Sequence, residues 1–255
     1  MTTITQVSAT NEVGAATPMW KGVDVLIMSL AIVAGIGVGA AALIAPSALS
    51  GDAPAPGQAP SPLFMTGLAA IQAAAMLVAV WLLGLKRRNY RWADLGLVPT
   101  SSRWIAIAFA VFVIFRLAVI PIAALLDQLG IRSMQAQALA PGVSELPAAL
   151  LMLLMVGIAV PIAEEIFFRG VVYRWLRDKW GVTVGAVVSG IIFGLAHLEP
   201  ASVIFTILLG IVLAVVYERS RSLWPPILIH VLNNAFALVL LYVLIATGVP
   251  IPGVN

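Results

Sequence analysis

The 255-residue chain contains no cysteine, so it has no disulfide framework, no cysteine nucleophile and no thiolate metal site, and its redox compartment is not written in its composition. Charge is scarce too: Asp, Glu, Lys and Arg supply 10% of the residues against 62% hydrophobic. Soluble domains carry about a quarter charged residues, so an ordinary soluble protein is excluded and an integral membrane protein is expected. Histidine occurs only twice, at His197 and His230. The formal charge of +3 says little as a total, because in a membrane protein the distribution of Lys and Arg among loops carries the information.

What is present is a series of long apolar runs. Seven stretches are long enough, or nearly so, to cross about 30 Å of hydrocarbon as helices: 23–45, 62–85, 104–126, 147–170, 182–198, 201–217 and 224–247. The fold class expected is therefore an all-α polytopic bundle. A polar N-terminal tail spans 1–22; its first 20 residues lack the basic n-region of a signal peptide, and the apolar run that follows is about twice an h-region in length, so that run reads as a retained span. Spans one to three fall within 23–140 and spans four to seven within 141–250. The segment "APSALSGDAPAPGQAPSP" between the first two spans is rich in Pro, Gly and Ser and is expected to be an extended external loop.

Positive charge orients these spans. "LKRRNYRWADLGL", "RGVVYRWLRDKWG" and "YERSRSL" follow spans two, four and six, so alternation puts them on one side. Of 14 Lys and Arg residues, 12 fall there when Lys21 and Arg169 are included, the exceptions being Arg116 and Arg132. That side is expected to be cytoplasmic, with the N-terminus inside and the C-terminus outside. Orientation accounts for the basic clusters without nucleic acid, although "KRRNYR" is also suited to anionic lipid headgroups.

Polar groups gather in the second half. Spans one to three carry Asp24 near an end and Arg116 in mid-span, the latter expected to snorkel or make a structural pair. Spans four to seven hold Glu164, Glu165, Arg169, His197, His230, Asn233 and Asn234. They form three signatures, "EEIFFR" at 164–169, "FGLAH" at 193–197 and "HVLNN" at 230–234, each with an i,i+4 pair on one helix face. A turn at Trp180 and Gly181 would place Glu164, 16 residues before it, level with His197, 16 residues after it. His230 lies six residues beyond Trp224, about 9 Å inward from the same face. The "LEP" turn after His197 then ends deep in the bilayer, where its backbone must be buried in protein or face water. "GIGVG" at 35–39 and "GIIFG" at 190–194 are small-residue patterns for close helix approach, and Phe168 and Phe193 read as lining residues.

Two glutamates, two histidines and an asparagine in one partly dry site suit activation of water for attack on an amide or ester carbonyl, with a carboxylate as general base and an amide or imidazole donating to the oxyanion. The residues equally permit a zinc site of His197, His230 and Glu164 with an open position for water. Other intramembrane peptidase chemistries lack their marks: there is no H-E-x-x-H, no G-x-G-D, and Ser189 has no glycine two residues before it.

E-E-x-x-x-R, F-x-x-x-H and H-x-x-x-N in this order on consecutive spans, with "WADLGL" upstream and "LLGIVLAVVYERSRSLWPPILIHVLNN" around the third, closely resemble the CPBP intramembrane proteases. That family includes the CAAX prenyl endopeptidases and bacterial Abi and bacteriocin-immunity proteins. The resemblance covers about residues 145–240, and the first three spans match only loosely. It implies a four-helix catalytic core in spans four to seven. Within it Glu164 and His197 activate the attacking water, His230 and Asn234 stabilise the oxyanion, and Glu165 with Arg169 keeps the site in shape. It also implies a membrane-associated peptide or protein as substrate, cut near the cytoplasmic leaflet of a bacterial inner membrane. The favoured reading requires no cofactor, with zinc the alternative. Two other functions remain open: a non-catalytic immunity or scaffold protein of the same fold, and a small transporter or proton relay. The latter would spread its polar residues through the whole depth and show related halves, whereas here there is one shallow cluster.

Overall fold

The computed structural model describes residues 19–50, 61–131 and 134–251. Most of the tail 1–22, residues 51–60 of the Pro-rich linker and Arg132 lie outside them. The described residues are all-α, with no strand among them. In chain order the helices are α1 (Gly22–Ser50), α2 (Pro62–Lys86), α3 (Ser102–Gln128), the short α4 (Gln135–Val143), α5 (Leu146–Leu195), α6 (Pro200–Ser220) and α7 (Trp224–Ala246). All but α4 are long and apolar enough to cross a membrane.

Local chemistry sets many of the boundaries. Proline occupies the first turn of α2, α6 and α7, where its missing N–H costs nothing. Ser61 Oγ accepts the Phe64 amide to cap α2. Helix α5 contains the only broken turn within a long helix among the described residues: Gly181 sits at φ +81°, ψ 171°, a conformation open to glycine and strained for other residues. The break folds α5 into two antiparallel arms, and the long helices thus provide the seven expected crossings. Arg177 packs on Gly185, whose absent Cβ would lie 2.8 Å from the Arg177 backbone nitrogen, and the Phe168 and Phe193 rings meet at 4.9 Å. Continuing that register sets Glu164 opposite His197, as the turn at Trp180 and Gly181 predicts.

Glycine also sets the seam between the second arm of α5 and α6. A Cβ at Gly190 or Gly194 would stand 2.9 Å from the backbone nitrogen of Ile211 or Ile207, and one at Gly210 would stand 2.9 Å from the Gly190 Cα. Gly39 similarly admits Ile71 between α1 and α2, where a Cβ would lie 2.5 Å from that side chain. The small-residue patterns at 35–39 and 190–194 therefore act in packing. Helices α1 and α3 are peripheral, with Val33, Val38, Ile114 and Leu117 exposed along them, whereas α2 and α6 are the most enclosed of the spans.

The basic segments converge at one end, as span alternation requires. The Leu223 amide donates to the Gly96 carbonyl (2.7 Å), Tyr217 Oη to that of Leu95 (2.8 Å) and Ser222 Oγ to that of Val98 (2.7 Å). Trp20 Nε1 donates to the Gly170 carbonyl (2.9 Å), and buried Asp24 pairs with Arg88 at 2.5 Å.

Three expectations need correction. The 45–62 linker is not extended from its start, because α1 continues through Pro46 to Ser50, the proline near its C-terminal end removing one i→i−4 hydrogen bond. The 127–147 segment, expected as a loop, contains α4, which packs on α2, α5 and α7. The fourth helix runs past 170 to the break at Gly181, as the turn placed at Trp180 and Gly181 requires. The fifth helix ends at Leu195, leaving His197 in the following turn, where its amide still donates to the Gly194 carbonyl (3.0 Å). The "LEP" amides are satisfied locally, Leu198 donating to the Leu195 carbonyl (3.4 Å) and Glu199 to that of His197 (2.7 Å), and Glu199 also caps α6. Its carboxylate accepts the Ser202 (2.6 Å), Ala201 (3.4 Å) and Met134 (3.4 Å) amides. Burial alone would raise this carboxyl, but those hydrogen bonds outweigh it and hold Glu199 below the usual glutamate value.

Candidate active site

Glu164 and Glu165 lie in the α-helical turn Val160–Phe167 of α5, between two π-helical segments, Leu153–Ala159 and Phe168–Tyr173. Adjacent helical positions are about 100° apart, so the two carboxylates face different neighbours. Glu165 is fully buried, and its Oε1 accepts from Arg169 Nη1 at 2.7 Å and contacts His230 Nδ1 at 2.9 Å. Arg169, also buried, sends Nη2 to the Gly210 carbonyl at 3.1 Å. The i,i+4 pair expected from sequence thus forms and extends to α6 and α7. Glu165 Oε2 is buried with no hydrogen-bond partner.

Glu164 is 6% exposed, a sliver of access that its neighbour lacks. Its Oε1 accepts from Gln72 Nε2 at 3.0 Å, and its Oε2 stands 3.7 Å from His230 Nε2, close for an electrostatic contact but long for a direct hydrogen bond. His197 is near enough to act on it electrostatically. Since the Phe193 carbonyl can only accept, its 2.9 Å contact with His197 Nδ1 puts a proton on Nδ1 and directs Nε2 elsewhere. His197 is partly exposed and His230 is buried.

Phe193, wholly buried, joins these pieces. Its ring meets Phe168 at 4.9 Å, His197 at 4.9 Å and His230 at 5.5 Å, and the Arg169 guanidinium sits over it at 4.5 Å. It is a lining residue, as expected, and it fixes the spacing of both imidazoles.

Asn234 lies one turn beyond His230 and donates from Nδ2 to the Val156 carbonyl at 3.2 Å. Pro161 explains why that carbonyl needs a donor. In the π register Val156 would receive an N–H five residues on, and proline has none. Asn233 Nδ2 donates to Asn234 Oδ1 (3.4 Å), and Arg116 Nη1 donates to Asn233 Oδ1 (3.4 Å) while its guanidinium lies 4.8 Å over Phe236. Arg116 therefore makes the structural pair rather than snorkelling.

The structure brings Glu164, Glu165, Arg169, His197 and His230 into one neighbourhood, with Asn234 at its edge. It adds Gln72, which the sequence reading passed over although it is a lone amide in the apolar run "AAIQAAAML" and such residues are costly unless partnered. The Gly210 and Val156 carbonyls carry no side-chain signal at all. For zinc the fit is poor: among the described residues no three His, Asp or Glu side chains are grouped so as to hold a metal ion. His197, His230 and Glu164 are neighbours without forming a ligand shell.

Residues 146–236 match the family model described as type II CAAX prenyl endopeptidase Rce1-like. The chain is 30% identical over 90 residues to the "Putative membrane peptidase YdiL" of Bacillus subtilis, covering 35% of this chain and 37% of that protein. It is also 30% identical over 90 residues to an "Uncharacterized 24.3 kDa protein" of Escherichia coli, covering 33% and 42%. The matches thus span well under half the length of these curated relatives. No solved structure matches the chain.

Proposed function

We propose that this chain, whose residues 146–236 match the Rce1-like family model, is an intramembrane endopeptidase of the CPBP type using Glu164 as general base. The observation that carries this reading is the unequal treatment of the paired glutamates. Glu165 is locked to a cation, while Glu164 is held by one neutral amide with imidazoles beside it.

In this mechanism Glu164, assisted by His197 Nε2, takes a proton from water as the oxygen attacks the scissile carbonyl carbon. The developing oxyanion is stabilised by His230 and by the second N–H of Asn234, the first being given to Val156. Collapse of the tetrahedral intermediate breaks the C–N bond, and the proton passes to the leaving amine. Glu165 and Arg169 do no chemistry here: they orient His230 and tie α5 to α6 and α7. No step passes through a metal. The substrate is a membrane-associated peptide or protein cut near the basic face of the bundle, which is the cytoplasmic face of a bacterial inner membrane.

Purified protein, Glu164→Ala and His197→Ala should be compared on a panel of membrane-anchored peptides, with cleavage followed by mass spectrometry. Wild-type turnover with none in Glu164→Ala is expected. Equal turnover in all three removes the proposal, and a chelator arm reads metal dependence directly.

A further inference from the structure

At the basic end of the bundle, away from the glutamate pair, the Trp92–Leu95 turn, the first arm of α5 and the C-terminal end of α6 enclose a cavity of about 260 Å³. Asp94, Arg174, Arg177, Tyr217, Glu218 and Arg221 line it. Most of these groups are already satisfied within the protein. Glu218 accepts from Tyr173 Oη at 3.0 Å and from Arg177 Nη1 at 3.2 Å, and Arg177 also pairs with Asp178 at 2.7 Å. Asp94 accepts the Arg91 amide at 2.7 Å, and Tyr217 Oη donates to the Leu95 carbonyl.

Two guanidinium groups are left over. Among the described residues Arg174 donates only to neutral acceptors, the Asp94 carbonyl and, at 3.3 Å, the Met19 sulfur, and its buried Nε has no partner. Arg221 is exposed, pairs with no carboxylate among the described residues, and is held at φ +57° where the chain leaves α6. Two guanidinium groups without a carboxylate partner among the described residues, lining one cavity, suit a tetrahedral oxyanion chemically. The site is also at headgroup level: Trp92, Trp180 and Trp224 are exposed around the same end, and Lys179 stacks on Trp175 and Trp180, an arrangement typical of a membrane interface.

We propose that this cavity binds a phosphate-class anion, such as a phospholipid headgroup or a free phosphate, between Arg174 and Arg221. The site is separate from peptide hydrolysis and stands whether or not the chain cleaves anything. Binding there would tie the Trp92–Leu95 turn to the ends of α5 and α6.

The test uses the full chain purified in detergent. Inorganic phosphate is titrated while Tm is recorded. In parallel the protein is reconstituted in vesicles of phosphatidylcholine with or without phosphatidylglycerol, and retained lipid is counted by native mass spectrometry. Retention of about one phosphatidylglycerol per chain is expected, weakened about tenfold in Arg221→Asn and Arg174→Gln, with phosphatidylcholine not retained. A Tm rise with inorganic phosphate that both variants lose supports the site with free phosphate as its ligand, and a response to phosphatidylglycerol alone identifies the headgroup. Asn tolerates the backbone at 221 and removes no contact that the fold uses, so this variant decides the matter even if Arg174→Gln fails to fold. Variants that retain phosphatidylglycerol and respond to phosphate like wild type, or equal retention of both lipids by wild type, overturn the proposal.

Discussion

Glu164 and Glu165 share a helical turn, a bilayer depth and a chemistry, yet their halves of the site are built differently. Around Glu165 everything is charged or directed: Arg169 at 2.7 Å, His230 at 2.9 Å, and a guanidinium anchored on the Gly210 carbonyl. Around Glu164 there is one hydrogen bond from Gln72, an imidazole nitrogen at 3.7 Å and slight access. A carboxylate in a salt bridge is a poor base, because taking up a proton neutralises it and forfeits the ion pair. The difference shows how one helix supplies a fixed strut and a working group from adjacent positions.

The contrast can be broken most severely at Glu164. Glu164→Gln keeps the shape and the Gln72 contact but removes the base, and activity is expected to fall about 10²- to 10⁴-fold with Tm nearly unchanged. The same change at Glu165 should instead show mainly as lost stability. Arg169→Met strands Glu165 in the core, and breaking such a buried pair costs about 3–5 kcal/mol, readable as a lowered unfolding midpoint. Adding Glu165→Gln to that variant should recover much of the loss. Gln72→Leu sharpens the comparison from the other side: a hydrogen bond to a charged group is worth about 1.5–3 kcal/mol, so a drop of at least about tenfold in kcat with little change in KM is expected. The smallest effect lies outside the site, at Glu199. Glu199→Gln weakens the α6 cap by about 1 kcal/mol. Because the folded-state carboxyl titrates below the ordinary glutamate range, the wild type's advantage is complete above that range and disappears as pH falls through the lower folded value. Unfolding of both proteins across this range tests the sign.

Much of this arrangement was legible in the sequence because it rests on strong local signals. Scarce charge in an apolar chain identified the spans, and a glycine beside a cluster of basic residues located the hairpin turn at 180–181, from which the Glu164 and His197 level follows. The i,i+4 pairing of Glu165 with Arg169 needed only helical geometry. What escaped rests on contacts between distant segments or on backbone atoms. Gln72 joins Glu164 across 92 positions, and its role depends on α2 lying against α5, which no local pattern states. The Asn234 contact uses a carbonyl that Pro161 leaves without a π-register donor, and α4 is too short and too weakly apolar to stand out as a span. Arg116 was visible as an intramembrane charge, but its partner Asn233 lies 117 positions away.

The glycine seam between the second arm of α5 and α6 ties architecture to electrostatics. The separation of these two helices is set by residues with no side chain to yield, and the Gly210 carbonyl that anchors Arg169 lies on that seam. A methyl group added there would push the helices apart and shift the cation that steadies His230. Substitutions are therefore tolerated less at this seam than along the exposed faces of α1 and α3.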